Sequence, residues 1–402
     1  MPQTLHSFSF SFSAVDLLGA IVLLIWLYLV FGRGQFWWLR DFDDDIAPHD
    51  ELRTWPHVVA IVPARNEAET VARTVESLAR QNYAGEFSVI VVDDHSEDET
   101  AAVAMRAASE SGAADRVRVH RAAELPDGWT GKLWALNEGV SRAAETDAAF
   151  YWFTDADVSH APDTLRRLVS RAEKSKLNLT SLMVLLRAES DAEKLLMPAF
   201  LYFFLKLYPP RWIANAKART AGAAGGCVLL RREALERIGG LAVIRGEVID
   251  DCALARAVKR SGGKIWMGVT RASVSLRSYG NFPEIRDMIA RTAFTQLRYS
   301  VWLLLGTLLG MLLTYVAPVA LVFSPSMFAT ICAAIAWLLM TCSFIPTLWH
   351  FRRSRYWAPL LPLVALFYSY ATWLSAVRYW RGHGGQWKGR SQAPHASKDV
   401  AG

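Results

Sequence analysis

Four long apolar segments constrain this chain of 402 residues more than any other feature. They cover residues 14–31, 301–323, 327–349 and 358–377. Each is about 18–23 residues long, the length that an α-helix needs to cross a bilayer. The hydrophobic content of 52% is therefore concentrated in a few places. The pattern predicts a membrane protein, with residues 1–32 as an N-terminal anchor and residues 301–380 as a C-terminal membrane region.

Charges around the apolar segments predict an orientation. Residues 1–13 contain no Lys or Arg, and no small-residue cleavage pattern follows the first segment, so it is interpreted as an anchor and not as a signal peptide. Arg33 and Arg40 follow this anchor. The positive-inside rule then places the central region on the cytoplasmic side, which we expect to be that of a bacterial inner membrane.

The last apolar segment does not fit a simple crossing. The basic stretch "HFRRSRYW" (350–357) precedes it and a polar, basic tail (381–402) follows it, and both should face the cytoplasm. A full span would separate them. The segment also contains Pro359 and Pro362 near its start. We therefore predict that residues 358–377 lie at the membrane interface instead of crossing.

Charge and cysteine content exclude other classes. The net charge of +6 is modest, and the basic residues lie mainly near the ends of the apolar segments. This distribution fits a membrane surface, and no nucleic-acid partner is predicted. The four cysteines show no metal-ligand spacing, and two lie inside apolar segments, so neither a zinc site nor a disulfide framework is expected (Cys227, Cys252, Cys332 and Cys342).

The central region, residues 56–300, alternates strand and helix patterns. "HVVAIVPA" and "FSVIVVDD" are short β-branched runs, and "ETVARTVESLARQ" between them has apolar residues at helical spacing. Such βαβ repeats predict a mostly parallel α/β sheet. The acidic stretch "DFDDDIAPHDE" makes residues 33–55 a solvated linker between the anchor and this domain.

Three predicted strands end in acidic residues. The first ends in "VPARNE" (62–67), the second in "VVDDHSEDET" (91–100) and a third in "FTDADVSHAP" (153–162). Ligands of open α/β sheets bind at these carboxyl ends, and helix N-termini there suit phosphate. Asp98 and Glu99 are explained as helix caps. Asp155 and Asp157 suit a divalent cation with a phosphorylated substrate, although a capped turn explains them equally well when taken alone.

The ordered motifs resemble those of family 2 inverting glycosyltransferases with the GT-A fold. The resemblance covers about residues 57–270 and rests on "VPARNE", "VVDDHSEDET", "GKLWALNEGV", "FTDADV", "AGGCVLLRREALERIGG" and "VIDDCALARAVKRSGG". The flanking apolar segments are similar to the membrane members of that family. Together with "RTAFTQLRYS", they look most like the bacterial hopene-associated glycosyltransferases. The resemblance implies an enzyme that moves a sugar from a nucleotide-diphosphate donor to a lipid acceptor, such as a hopanoid.

The resemblance also implies roles for the donor-site residues. Lys132 would lie near the diphosphate, and Asp157 would bind Mg²⁺ or Mn²⁺ with Asp155 nearer the ribose and the metal. Gly225 and Gly226 would leave room for the donor sugar, while Gly239 and Gly240 fit a helix C-cap. The nucleotide pocket would be lined by Pro63, Arg65, Glu67 and one acid of the pair Asp93 and Asp94, of which Asp94 is favoured.

The catalytic base is implied by the "IDDC" stretch. Asp251 matches the family's general base, and Asp250 stands where Glu is usual and is expected to cap the helix. Acids at a helix N-terminus are favourable in any protein, so the pair alone decides nothing. Polymer synthases of the family carry Q-x-x-R-W after the base, whereas "TQLRYS" has Gln296 one position too close and Tyr299 in place of Trp. Arg298 is still expected to reach the diphosphate.

Three other functions fit parts of the sequence. A processive or short-chain polysaccharide synthase is disfavoured by the altered "TQLRYS" motif. A haloacid-dehalogenase-type phosphatase would use Asp155 as its nucleophile, but it leaves the first two motifs unexplained and has Thr154 where an apolar residue is wanted. A non-catalytic nucleotide-binding scaffold would retain the same acids. The sequence leaves open the processivity, the donor sugar and the nucleobase of the donor.

Overall fold

The computed structural model describes residues 13–39, 52–382, 386–387 and 390–391. Most of the predicted acidic linker, from residue 40 to residue 51, and most of the tail lie outside these ranges. The central sheet has eight strands in the order β3-β2-β1-β4-β7-β6-β8-β5. The strands are β1 Val58–Ala64, β2 Phe87–Asp93, β3 Val117–Arg121, β4 Phe150–Phe153, β5 Val158–His160, β6 Leu179–Leu185, β7 Val228–Arg231 and β8 Ile265–Ser275.

Helices cover both faces of the sheet, and apolar helices precede and follow it. The helices of the sheet domain are α2 Val71–Ala79, α3 Thr100–Glu110, α4 Gly131–Ala143, α5 Thr164–Lys174, α6 Asp191–Leu207, α7 Pro210–Ala214, α8 Arg232–Arg237, α9 Asp250–Arg260 and α10 Phe282–Gln296. The apolar helices are α1 Ala14–Leu27, α11 Val301–Met311, α12 Ala317–Leu321, α13 Met327–His350 and α14 Leu361–Trp380. A short pair of strands, β9 Gln386–Trp387 and β10 Arg390–Ser391, follows them.

The predicted α/β class with a mostly parallel sheet is confirmed. Strand β1 is buried along its whole length, and its side chains alternate between two apolar cores, one on each face of the sheet. This explains its continuous apolar sequence. Six of the eight strands run in one direction, but β7 and β5 are antiparallel to their neighbours. Their short sequences carry no signal of direction, which is set by the connections and by pairing with distant strands.

Within the described residues, four apolar helical stretches are long enough to cross a membrane. They are Ala14–Gly32, Val301–Leu321, Met327–His350 and Arg355–Trp380, which match the four predicted segments to within a few residues. The first and third pack side by side with their N-termini at the same end. The Asp16 carboxylate accepts a hydrogen bond from Ser326, the N-cap residue of α13. A Cβ on Gly19 would lie 2.9 Å from the Ala329 Cα, so a small residue is required at this crossing.

The sheet domain is packed directly against the apolar helices. Helix α6 provides the contact, because its buried face carries large aromatic side chains. Tyr202 Oη lies 2.7 Å from Ser343 Oγ of α13, and Lys206 Nζ donates to Tyr315 Oη at 2.8 Å. Residues of both regions belong to one continuous apolar core. The domain and the membrane region therefore hold a fixed relation to each other.

The segment before α14 and the C-terminal end of α14 both lie next to the sheet domain. The helix follows α13, whose final residue His350 accepts a hydrogen bond through its carbonyl from Arg271 of β8. At the other end, Arg378 pairs with Asp287 of α10 at 2.7 Å, and Tyr379 stacks on Tyr299 just before α11. A helix that crossed the bilayer would end on the far side from the domain. The contacts thus support the prediction that this segment lies at the interface.

We predict that the loop before α14 and the residues after it lie on the same side of the membrane. Single cysteines replacing Ser354 and Ser391, in a variant with Cys342→Ser, should react with an impermeant thiol reagent from the same face of sealed vesicles. Labelling of the two positions from opposite faces would show that α14 crosses the bilayer.

Candidate active site

Three carboxylates from separate parts of the chain surround Lys132. This lysine lies in the first turn of α4, and its Nζ is 2.7 Å from Asp155 Oδ1 and 3.6 Å from Asp250 Oδ2. Asp155 follows β4, whereas Asp250 and Asp251 open α9. Burial lowers the pKa of Lys132, but the negative charges of Asp155 and Asp250 outweigh it and hold the pKa above its ordinary value. The ammonium group is thus fixed and charged at the carboxyl edge of the sheet, and it is not a solvent-facing lysine.

Asp251 is held by backbone amides beside this lysine. Its Oδ2 accepts from the Gly225 N–H at 2.8 Å and its Oδ1 accepts from the Cys252 N–H at 2.6 Å. Burial and the charge of Asp250, opposed by Lys132 and the two amides, raise the pKa of Asp251 to about 7. A carboxyl group that titrates near neutral pH is suited to take up a proton. Asp250 was expected to cap α9, but its carboxylate faces Lys132 and it is Asp251 that accepts the amide bonds.

The two glycines of the "AGGC" stretch pack closely around this cluster. A Cβ on Gly225 would lie 3.2 Å from Lys132 Nζ and 3.4 Å from Asp251 Oδ2. A Cβ on Gly226 would contact Val184 at 3.3 Å and Val158 at 3.4 Å. Gly225 therefore lets the backbone approach the charged groups, while Gly226 packs against strand side chains. Gly239 and Gly240 follow α8 with φ of +86° and +79° and close its C-terminus, as predicted.

Asp157 pairs with an arginine that the sequence did not single out. Its Oδ2 lies 2.7 Å from Arg277 Nε, and Arg277 Nη2 lies 2.8 Å from Glu67 Oε1. The antiparallel pairing of β5 with β8 creates this contact, since Val158 pairs with Ser275. No local pattern marks Arg277, because only strand pairing brings it beside the "FTDADV" and "VPARNE" motifs.

The other donor-site residues lie along the ends of β1 and β2, but not all of them face the cluster. Pro63 lines a cavity together with Lys132 and the three carboxylates. Arg65 is buried and donates to the carbonyls of Asp94 and His95, at 2.6 and 3.1 Å, so it braces the loop after β2.

The two candidate acids after β2 are both buried. Asp93 Oδ1 accepts from the Ser96 N–H at 3.3 Å, while Asp94 is completely buried. The contacts therefore leave the choice between them open. Asp98 caps the start of α3 through the Thr100 N–H, as expected, but Glu99 makes no side-chain cap bond.

The residues of "TQLRYS" separate in the structure. Gln296 Nε2 donates to Tyr208 Oη at 2.6 Å, and Tyr208 packs against Gly222 near Cys252. Arg298 adopts a positive φ of 51° in the turn between α10 and α11, where it is exposed. Its backbone N–H donates to the Thr295 carbonyl at 2.8 Å, but its side chain makes no hydrogen bond or ion pair among the described residues. The structure thus brings Gln296 toward the site and leaves Arg298 at the surface.

Asp155 and Asp157 fit a magnesium or manganese ion. Both are oxygen ligands at the end of a buried strand, the ligand type that these hard cations prefer. Lys132 contacts Oδ1 of Asp155, and Oδ2 of Asp155 has no hydrogen bond within the described ranges. A second group of potential metal ligands, His57, Glu86 and Asp147, lies at the opposite edge of the sheet. Its two carboxylates are largely exposed.

Comparison with known proteins gives a family match for part of the chain. Residues 59–239 match the model of glycosyl transferase family 2. A curated relative, an N-acetylglucosaminyltransferase of Rhizobium leguminosarum bv. viciae, is 27% identical over 233 residues. This match covers 55% of the chain and 50% of the relative, so the chain spans about half the length of that relative.

A solved structure supports the fold over a longer range. The mannosyltransferase PcManGT from Pyrobaculum calidifontis, in complex with GDP-Man and Mn²⁺, superposes with a TM-score of 0.55 at 17% identity. The likeness covers 90% of this chain and 99% of that one. It confirms the GT-A fold, and the family match disfavours the phosphatase hypothesis. Residues 59–239 therefore form a domain that is similar to glycosyl transferase family 2.

Proposed function

We propose that this protein is a family 2 glycosyltransferase that transfers a sugar from a nucleotide-diphosphate donor to a hydroxyl group of a lipid, with inversion, at the cytoplasmic face of a bacterial inner membrane. One observation carries the proposal: Asp155, Asp250 and Asp251 converge on Lys132, and the pKa of Asp251 is raised to about 7. The cluster lies at the carboxyl edge of the sheet, where nucleotides bind in open α/β folds. It supplies a cation for a leaving diphosphate and a base for an attacking hydroxyl.

The donor half of the site would use Lys132 and the two acids of the "FTDADV" motif. Asp155 and Asp157 would hold Mg²⁺ or Mn²⁺, which would offset the charge of the diphosphate. Lys132 adds a fixed positive charge in a site that is largely shielded from water, where such a charge stabilises a developing anion most. The N-acetylglucosaminyl and mannosyl groups named for the relatives support a hexose donor. They leave open which sugar and which nucleobase the donor carries.

Asp251 would act as the general base. Its two amide hydrogen bonds fix the carboxylate, and an acceptor hydroxyl would give its proton to an oxygen of this group. The hydroxyl oxygen would then form a bond to C1 of the sugar while the bond from C1 to the diphosphate breaks on the opposite face. Attack from that face inverts the configuration at C1.

A cavity beside the apolar helices supports a lipid acceptor. It has a volume of about 240 Å³ and lies between the ends of β6 and β8 and Phe351, which follows α13. Apolar residues, with Leu185, Leu186 and Leu276 among them, form more than half of its walls, and the rest includes three charged residues (Arg73, Arg187 and Glu189). Its walls therefore join the sheet domain to the membrane region, near Arg277 and the donor site. A hopanoid is our candidate acceptor because of the sequence resemblance alone.

We expect sugar transfer to require a divalent cation. Activity should be lost in EDTA and restored by Mg²⁺ or Mn²⁺, and Asp157→Asn should weaken Mn²⁺-dependent donor binding in calorimetry. Asp147→Asn, which removes an exposed carboxylate at the other edge of the sheet, serves as the control and should behave like the wild type. Full turnover in chelator would remove the metal from the proposal.

The two acids that open α9 should have different mutant signatures. Asp251→Asn should lower the transfer rate by about 10²–10⁴-fold, the range for a positioned base, and leave nucleotide-sugar binding nearly intact. Asp250→Asn should cost less, because its carboxylate pairs with Lys132 and is not proposed to take the proton from the acceptor. Initial rates and calorimetry on both variants test this. Near-normal rates in Asp251→Asn would mean that the base lies elsewhere.

The pH dependence should report Asp251. A base must be deprotonated, so kcat/KM should rise with pH through an apparent pKa of about 7 and then level off. The charge of Asp250 contributes to raising that pKa, so Asp250→Asn should move the acidic limb to lower pH. The measurement is the pH profile of kcat/KM for both proteins. If the apparent pKa of the acidic limb is the same in Asp250→Asn as in the wild type, Asp251 is not the titrating group.

A further inference from the structure

Arg277 contacts two acids of the proposed donor site at once. Its Nε lies 2.7 Å from Asp157 Oδ2 and its Nη2 lies 2.8 Å from Glu67 Oε1. The side chains of these acids are only 14% and 13% exposed. Hydrogen bonds between ionised groups are stronger in such a setting than at an open surface. A metal cation that binds Asp157 must therefore either displace Arg277 or share the Asp157 carboxylate with it.

The backbone around Arg277 is fixed independently of its side chain. The Leu276 N–H donates to the Asp157 carbonyl at 2.7 Å, and the Tyr279 N–H donates to Glu193 Oε1 at 2.6 Å. Glu193 is itself completely buried at the start of α6. The guanidinium is thus presented to Asp157 by an anchored segment. Replacing the side chain should leave the path of the backbone unchanged.

We infer that Arg277 competes with the divalent cation for Asp157 and thereby makes cation binding depend on the nucleotide diphosphate. The inference rests on the proposed metal and diphosphate site. A guanidinium and a metal ion on one carboxylate repel each other, so the cation alone binds weakly. A diphosphate adds negative charge that offsets both cations, while Glu67 keeps Arg277 within the site. Cation and nucleotide then strengthen each other's binding, and this coupling is reciprocal.

Manganese titrations of the full-length protein in detergent test the inference. Free Mn²⁺ is measured by electron paramagnetic resonance, without nucleotide and with UDP or GDP present. The variants are Arg277→Gln and Arg277→Lys. Arg231→Gln is the matched control, since Arg231 also pairs with a partly buried carboxylate, Glu173, at 3.0 Å but lies at the far end of β7.

Removing the guanidinium should make cation binding tighter and less dependent on nucleotide. Without nucleotide, Arg277→Gln should bind Mn²⁺ roughly tenfold or more tightly than the wild type, because no charged hydrogen bond has to be broken. The factor by which UDP or GDP tightens Mn²⁺ binding should fall by a similar amount. Arg277→Lys should lie between the two, since one ammonium replaces a two-pronged contact. The control should match the wild type.

Several results would overturn the inference. Unchanged or weaker Mn²⁺ binding in Arg277→Gln, with an unchanged melting temperature, would mean that Arg277 only stabilises the loop. If that variant does not fold, wild-type affinity and coupling in Arg277→Lys would have the same meaning. A wild-type protein that binds no Mn²⁺ with either nucleotide would remove the metal site itself. The expected binding pattern in a protein that transfers no sugar would support the inference and overturn the proposed function.

Discussion

The ammonium group of Lys132 holds the candidate active site together. A cation removed from water is costly unless nearby charges compensate for it, and Asp155 and Asp250 do so here. These acids lie 95 residues apart along the chain, at the end of β4 and the start of α9. Their joint pairing with one lysine fixes the position of α9 over the sheet edge. The same arrangement places Asp251 beside a second carboxylate, which contributes to raising its pKa.

Packing between the sheet domain and the apolar helices gives the site a fixed position relative to the membrane region. Helix α6 carries aromatic residues on a buried face and contacts α13 through Tyr202 and Ser343. Its N-terminal Glu193 accepts three backbone hydrogen bonds, including that from Tyr279 in the segment that carries Arg277. One helix thus connects the membrane region to the loop beside Asp157. The contact between α6 and α13 would therefore set the distance of the site from the membrane and from the proposed lipid acceptor.

Most elements of the fold could be predicted because their signals are local. The four apolar segments, the strands β1 and β2 and the helix α2 all follow from composition and periodicity over short windows. Direction and order of the later strands could not be predicted in the same way. Strand β7 has four residues and lies between β4 and β6, antiparallel to both, which depends on pairing across long stretches of chain.

The sequence by itself determined which acids end the strands, where the long apolar helices lie and that two glycines close the helix after β7. Only the tertiary structure decided that Lys132 contacts Asp155 and Asp250, that Asp251 accepts hydrogen bonds from the Gly225 and Cys252 amides, and that Arg298 stays at the surface. It also brought Arg277 to Asp157 and Glu67. The physical reason is that charge pairing depends on distances of a few ångströms between residues far apart in the chain. Strand pairing and helix packing set those distances, and no local pattern records them.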